Sequence, residues 1–93
     1  MTITRINEFK AKAGQGEALR SHLNAFVATI EASAGCQACQ LLQSESDPTR
    51  IVVIEVWDSI EAHQAAVKNI PPDAIEQAMK LLDGTPKGEY FHQ

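Results

Sequence analysis

The stretch Ile51–Asn69, IVVIEVWDSIEAHQAAVKN, holds the only tryptophan of a 93-residue chain, Trp57, at the point where one periodicity gives way to another. From Arg50 to Trp57 the run is rich in β-branched residues, as a strand prefers. Side chains alternate faces along a strand. Ile51, Val53, Glu55 and Trp57 therefore share one face, and Val52, Ile54, Val56 and Asp58 the other. A strand apolar on both faces is covered on both faces. In so short a chain its own helices can cover only one, and a second subunit is the simplest cover for the other. After Trp57 the pattern turns helical. Asp58 or Ser59 serves as N-cap, and Glu61 stands three residues after Asp58 in a capping-box arrangement. This helix is expected to run to about Asn69, before Pro71-Pro72.

Working outward, Thr2–Lys12 reads as a strand closed by Gly14-Gln15-Gly16. Between Gln15 and Ser33, Leu19, Leu23, Phe26, Val27 and Ile30 fall at spacings of three and four, which is one apolar helical stripe. Gly35 is a suitable stop. Ala38–Glu45 reads as a second strand, turned by Ser46-Asp47-Pro48-Thr49 into the third. A further helix is expected over Ala74–Leu82, capped by Asp73, and a short last strand over Gly88–Gln93. The order β-α-β-β-α-(α)-β is the ferredoxin-like split βαβ: an α+β fold with a four-stranded antiparallel sheet and helices on one face. Residues 1–93 form a single domain at this length.

Composition narrows the function. The chain is 44% hydrophobic and 22% charged, which is an ordinary globular balance, and its net charge of −4 weighs against nucleic acid or an anionic membrane as partner. No apolar run approaches the ~20 residues that span a bilayer. MTITRINEFKAK lacks the layout of a signal peptide, so a cytoplasmic protein is expected. Cys36 and Cys39 form a C-x-x-C. A redox pair of this spacing follows a strand and opens a helix, whereas here a helix ends and a strand follows. A zinc site would need a second ligand pair, which is not apparent. The two cysteines read as plain small residues, with a peripheral redox role as the alternative. No phosphate-cradling glycine motif, nucleophile elbow or H-E-x-x-H occurs. No cofactor and no metal are expected.

The runs Gly35–Arg50 (GCQACQLLQSESDPTR) and Ile54–His63 (IEVWDSIEAH), with a first strand ending in EFKAK before a glycine turn, resemble the antibiotic biosynthesis monooxygenase domain family. That resemblance covers nearly the whole chain. It implies a dimeric α+β barrel, with two sheets packed face to face and a pocket between sheet and helices in each subunit. It also implies a cofactor-independent monooxygenase acting on a small aromatic molecule, such as a phenol, quinol or anthrone, with molecular oxygen. Family members include haem-degrading enzymes, but their axial histidine would fall near Val67, and His63 lies a turn earlier. The glycine-tyrosine pair usual in the second strand is replaced by Ala38-Cys39.

Four residues are candidates for catalysis. Asn7 sits mid-strand, where asparagine is depleted. It is either an edge residue or an amide aimed into the pocket at a substrate oxygen. Trp57 either packs at the strand–helix junction or forms the pocket wall and stacks the substrate ring. Glu55 shares its face and is either a buried base of raised pKa or the partner of Arg5. His22 borders the helix stripe and is either a boundary residue or a pocket base. His63 reads as a surface or capping histidine, and Tyr90 and Phe91 as core or dimer contacts. The other function class for such a fold is a non-catalytic dimer that binds a small apolar molecule or serves as an accessory protein. A third is an isomerase or cyclase that moves protons without consuming oxygen.

Overall fold

Strand β3, Arg50–Trp57, is an interior strand of a four-stranded antiparallel sheet of order β2-β3-β1-β4, with β1 at Ile3–Lys10, β2 at Cys36–Gln43 and β4 at Lys87–Phe91. The structure, a computed structural model, describes residues 2–93. Helix α1, Gly16–Glu31, joins β1 to β2, while α2, Ile60–Val67, and α3, Pro72–Leu81, join β3 to β4. This is the expected ferredoxin-like α+β arrangement. Among the described residues no helix is long and apolar enough to cross a membrane.

The element ends differ from expectation for local reasons. Of the two expected caps of helix α2, Ser59 is the one used, its Oγ accepting from the Ala62 amide at 3.1 Å, and the helix ends at Val67, short of the expected Asn69. Helix α3 starts earlier than expected because Pro72 occupies its first turn, where the missing N–H costs nothing. It stops at Leu81 because Leu82 leaves helical geometry to bridge Ala11. Gly35 has φ +86°, and β2 begins directly after it at Cys36, two residues before the expected start.

The register fixes what shares the helix-covered face. Ile3, Arg5, Asn7 and Phe9 of β1 lie opposite Trp57, Glu55, Val53 and Ile51 of β3. Tyr90 and Gly88 of β4 lie opposite Arg5 and Asn7. On β2, Cys39 and Leu41 face Glu55 and Val53. A bulge between Cys36 and Ala38 puts Cys36 opposite Trp57 as well. The i,i+3 pair of cysteines therefore stands on one face, where a regular strand would have separated them.

Helix-side packing divides into two clusters. Ala11, Leu19, Leu23, Ile51 and Leu82 form one, and Ile30, Trp57 and Ala66 the other. The opposite sheet face carries Val52, Ile54 and Val56, all half-buried, with Leu42 and Phe91 exposed. β2 and β4 are the sheet edges, and β2, CQACQLLQ, has no charged side chain.

Candidate functional site

Between sheet and helices lies a cavity of about 270 Å³ whose lining draws on both core clusters. Helix α1 contributes Leu23, Phe26, Val27 and Ile30, and the far side is closed by Val67 and Ile70. Its sheet wall has an apolar end at Phe9 and Val53 and a polar end at Arg5, Asn7 and Glu55, with His63 reaching in from α2.

Glu55 is the hub of the polar end. Only 5% of it is exposed. Its Oε2 accepts from Asn7 Nδ2 at 2.9 Å and its Oε1 from Trp57 Nε1 at 2.9 Å. His63 Nε2 stands 3.8 Å from the same Oε1. Burial pushes the Glu55 carboxyl up from its ordinary range, against the Trp57 hydrogen bond, the Arg5 charge and the Asn7 hydrogen bond, which pull it down. Burial, with Arg5 nearby, holds the His63 imidazole below its usual value, so the ring is neutral at pH 7. A carboxylate fixed by two donors, beside a neutral imidazole, in an otherwise apolar cavity is equipped to take a proton from a bound molecule.

Asn7 is pinned rather than free. Besides Glu55, its Nδ2 approaches the Val53 carbonyl at 3.5 Å, and its Oδ1 accepts from Arg5 Nε at 3.0 Å. Both ends of the amide are therefore committed to holding Glu55 and Arg5. The guanidinium of Arg5 lies over the Tyr90 ring, 4.6 Å from its centroid. One of its terminal nitrogens, Nη2, lies against Gly88. Gly88 makes this placement possible, because a Cβ there would sit 2.6 Å from Arg5 Cζ and 2.9 Å from Asn7 Oδ1. Asn7 and Arg5 thus both line the cavity, with the Asn7 amide engaged by its neighbours at both ends.

For three of the candidate residues the structure places the side chain as follows. Trp57 is fully buried and does not line the cavity; it packs with Ile30 and Ala66 and reaches the site only through its hydrogen bond to Glu55. Of the two readings of this residue, the junction packing is the one observed, because the strand end lies beneath α2. His22 is also outside the cavity: its Nε2 is 2.8 Å from the Ala74 carbonyl, tying α1 to the start of α3. Glu55 does not pair directly with Arg5, since Asn7 stands between them as the hydrogen-bonding bridge.

His63 is neither a surface nor a capping residue. It is 8% exposed, its Nδ1 is 2.6 Å from Tyr90 Oη, and its ring meets those of Trp57 and Tyr90 edge-on at 5.5 and 5.3 Å. The signal was present in the sequence: His63, Ala66 and Ile70 fall at spacings of three and four, the core face of α2. Tyr90 is held by β4 pairing opposite Arg5, a relation that only the sheet register reveals.

Cys39 lines the cavity as well. Burial and then the Glu55 charge push its thiol up to about 12, and burial likewise raises Cys36. Neither is a thiolate near neutrality, which weighs against nucleophilic redox chemistry. Among the described residues no group of three or more potential metal ligands occurs.

The model of the antibiotic biosynthesis monooxygenase family matches residues 2–81. No curated protein matches the sequence. Among solved structures, PA3566 from Pseudomonas aeruginosa is 26% identical with a TM-score of 0.84, covering 99% of this chain and 93% of that one. Rv0793 from Mycobacterium tuberculosis is 21% identical with a TM-score of 0.85, covering 100% of this chain and 95% of that one. A mutant of SnoaB, a cofactor-independent oxygenase from Streptomyces nogalater, is 20% identical with a TM-score of 0.83, covering 99% of this chain and 92% of that one. The two matches under 25% identity speak for the fold alone. The family match spans most of the sequence, and the chain belongs to the antibiotic biosynthesis monooxygenase family.

Proposed function

We propose that the protein is a cofactor-independent monooxygenase for a small planar phenol, quinol or anthrone-like substrate, with molecular oxygen as co-substrate. The observation that carries this reading is Glu55, a buried carboxylate of raised proton affinity fixed at the wall of an apolar cavity that the Arg5 guanidinium also lines. A cavity of about 270 Å³ suits a flat molecule of two or three fused rings.

Anthrone illustrates the chemistry. Glu55 takes one of the two protons between its outer rings, leaving an anion spread over the rings and the carbonyl oxygen. Arg5 stabilises that oxygen, and its charge is worth more inside an apolar cavity than in water. The electron-rich anion then transfers an electron to oxygen and combines with it. One oxygen atom stays as a new carbonyl, and the other leaves as water, made from the hydrogen still on the former methylene carbon and a proton drawn from solvent in place of the one that Glu55 took. The protein binds, excludes water and holds the anion. Asn7 orients Glu55 and Arg5, and Trp57 braces Glu55 from beneath.

The test is oxygen uptake by metal-free protein with anthrone and 1,4-dihydroxynaphthalene. Uptake above the uncatalysed rate is expected, falling in Asn7→Ala by at least about tenfold as the carboxylate loses its orientation. Ligand binding without uptake by any probe would sink the oxygenase reading in favour of a binding module.

A homodimer completes the proposal. Val52, Ile54 and Val56, with Leu42 and Phe91, make an apolar sheet face that no helix of the same chain covers. A second copy packing sheet to sheet would bury it and close a barrel. Sedimentation should give a dimer, and Ile54→Lys a monomer. A wild-type monomer at micromolar concentration would refute this.

A further inference from the structure

We propose that His63 and Tyr90 form a proton exit from Glu55 to solvent, with Nδ1 of His63 carrying the hydrogen and its Nε2 lone pair turned toward the carboxylate. This rests on the oxygenase reading: Glu55 is a carboxylate again only when the proton taken from the substrate has left it, here to solvent, while the peroxide formed from oxygen takes a proton from water, so that the turnover is proton-neutral.

The distances define the direction of the path. His63 Nδ1 is 2.6 Å from Tyr90 Oη, a full hydrogen bond, whereas His63 Nε2 stands 3.8 Å from Glu55 Oε1. A protonated Nε2 facing a carboxylate would close to about 2.8 Å, because charge-assisted hydrogen bonds are short. A lone pair facing an anionic oxygen stands off. The gap therefore fits the tautomer in which Nδ1–H donates to Tyr90. Once Glu55 has taken the substrate proton, its new O–H becomes the donor that Nε2 lacks.

The sequence of transfers then balances. The proton passes from Glu55 to Nε2, the Nδ1 proton passes to Tyr90 Oη, and the phenolic hydrogen leaves to water. Glu55 returns to carboxylate, His63 to a neutral ring and Tyr90 to a phenol. Tyr90 is half-buried on the β4 edge strand, so the path runs from a buried carboxylate toward the surface. The groups around it are Glu55 from β3, Arg5 from β1 and Cys39 from β2, and Arg5 over the Tyr90 ring disfavours a cation lingering there.

Tyr90→Phe keeps the ring that packs on Arg5 and His63 and removes only the hydroxyl. Three readouts apply, with anthrone as probe. The ¹⁵N shifts of His63 should report a protonated Nδ1 in the wild type and a mixture of tautomers in the variant. On anaerobic mixing, the variant should form the anthrone anion at the wild-type rate, since Glu55 is intact. In air its kcat should fall about tenfold with KM within about twofold, as expected for a lost proton-transfer group. A wild-type His63 protonated at Nε2 would overturn the proposal, as would a variant with unchanged kcat. So would a variant whose anion formation slows in step with kcat, because the hydroxyl would then act only by shaping the site. If the wild type consumed no oxygen with any probe, the oxygenase reading would fail, and the nitrogen shifts would still decide the tautomer on their own.

Discussion

Glu55→Gln should lose oxygen uptake by about 100- to 10,000-fold in kcat, the range for removing a general base, while leaving the fold standing. Glutamine has the shape of glutamate and can still accept one hydrogen bond. It cannot accept two, because its amide nitrogen must face either Asn7 Nδ2 or Trp57 Nε1, both donors 2.9 Å from a carboxylate oxygen. That mismatch costs about 1–3 kcal/mol. Against it stands the charge that no longer has to be buried, since burial is the main cause of the raised Glu55 pKa. The substitution should therefore separate activity from stability.

The same variant has a signature in pH. A carboxyl with a raised folded pKa holds its proton more tightly in the folded protein than in the unfolded chain. Its stabilising contribution is fully present below the ordinary value of 4.5 and is lost as pH rises through the folded value. His63 runs the other way: its pKa is lowered from 6.5, so its contribution is present above that value and is lost as pH falls through the folded one. Urea midpoints of wild type and Glu55→Gln across this range should diverge. The variant should gain relative to wild type as pH rises past 4.5, where only the wild type pays to ionise a buried acid. Parallel curves would mean that Glu55 titrates like an exposed acid and is no poised base. Asp47, whose carboxyl Thr49 holds down, contributes equally to both proteins and cancels from the comparison.

Trp57→Ala should produce the largest loss of stability of any single change. The side chain is fully buried among Ile30 and Ala66, and truncating a buried large aromatic costs about 3–5 kcal/mol. A domain of this size has only about 5–15 kcal/mol to lose. A fall in the urea midpoint of about 2 M is expected. Trp57→Phe distinguishes packing from chemistry. It keeps an aromatic ring but removes the Nε1 donor, leaving Glu55 Oε1 with His63 alone nearby. The Glu55 pKa should climb further and the pH–rate profile move to higher pH. If Trp57→Phe matched wild type in both midpoint and profile, the indole hydrogen bond would have no part in tuning the carboxylate.

The β3 run announced most of the fold. Apolar side chains on both of its faces require two coverings, and the loop chemistry around it leaves little choice of topology. The site was harder to read. Glu55 and Asn7 were visible as polar residues at strand positions that bury, and both reach the cavity. For Trp57 and His22 the sequence left packing and pocket readings both open, because a strand pattern gives the face but not the depth, and a helix stripe does not say which helix lies against its margin. Tyr90 and His63 are 27 residues apart, and their hydrogen bond exists only through the pairing of β1 with β4. The bulge in β2 has no sequence signal at all, so the shared face of the two cysteines was beyond reach.

That bulge also bears on how the protein behaves when crowded. β2 is an edge strand, and an unpaired edge is a template for another chain. The stretch Ala38–Gln43, ACQLLQ, has no charge, proline or glycine to discourage such pairing. The bulge twists the strand only at its start, between Cys36 and Ala38, and leaves the remaining residues regular. Self-association at high concentration should therefore begin along Leu41–Gln43.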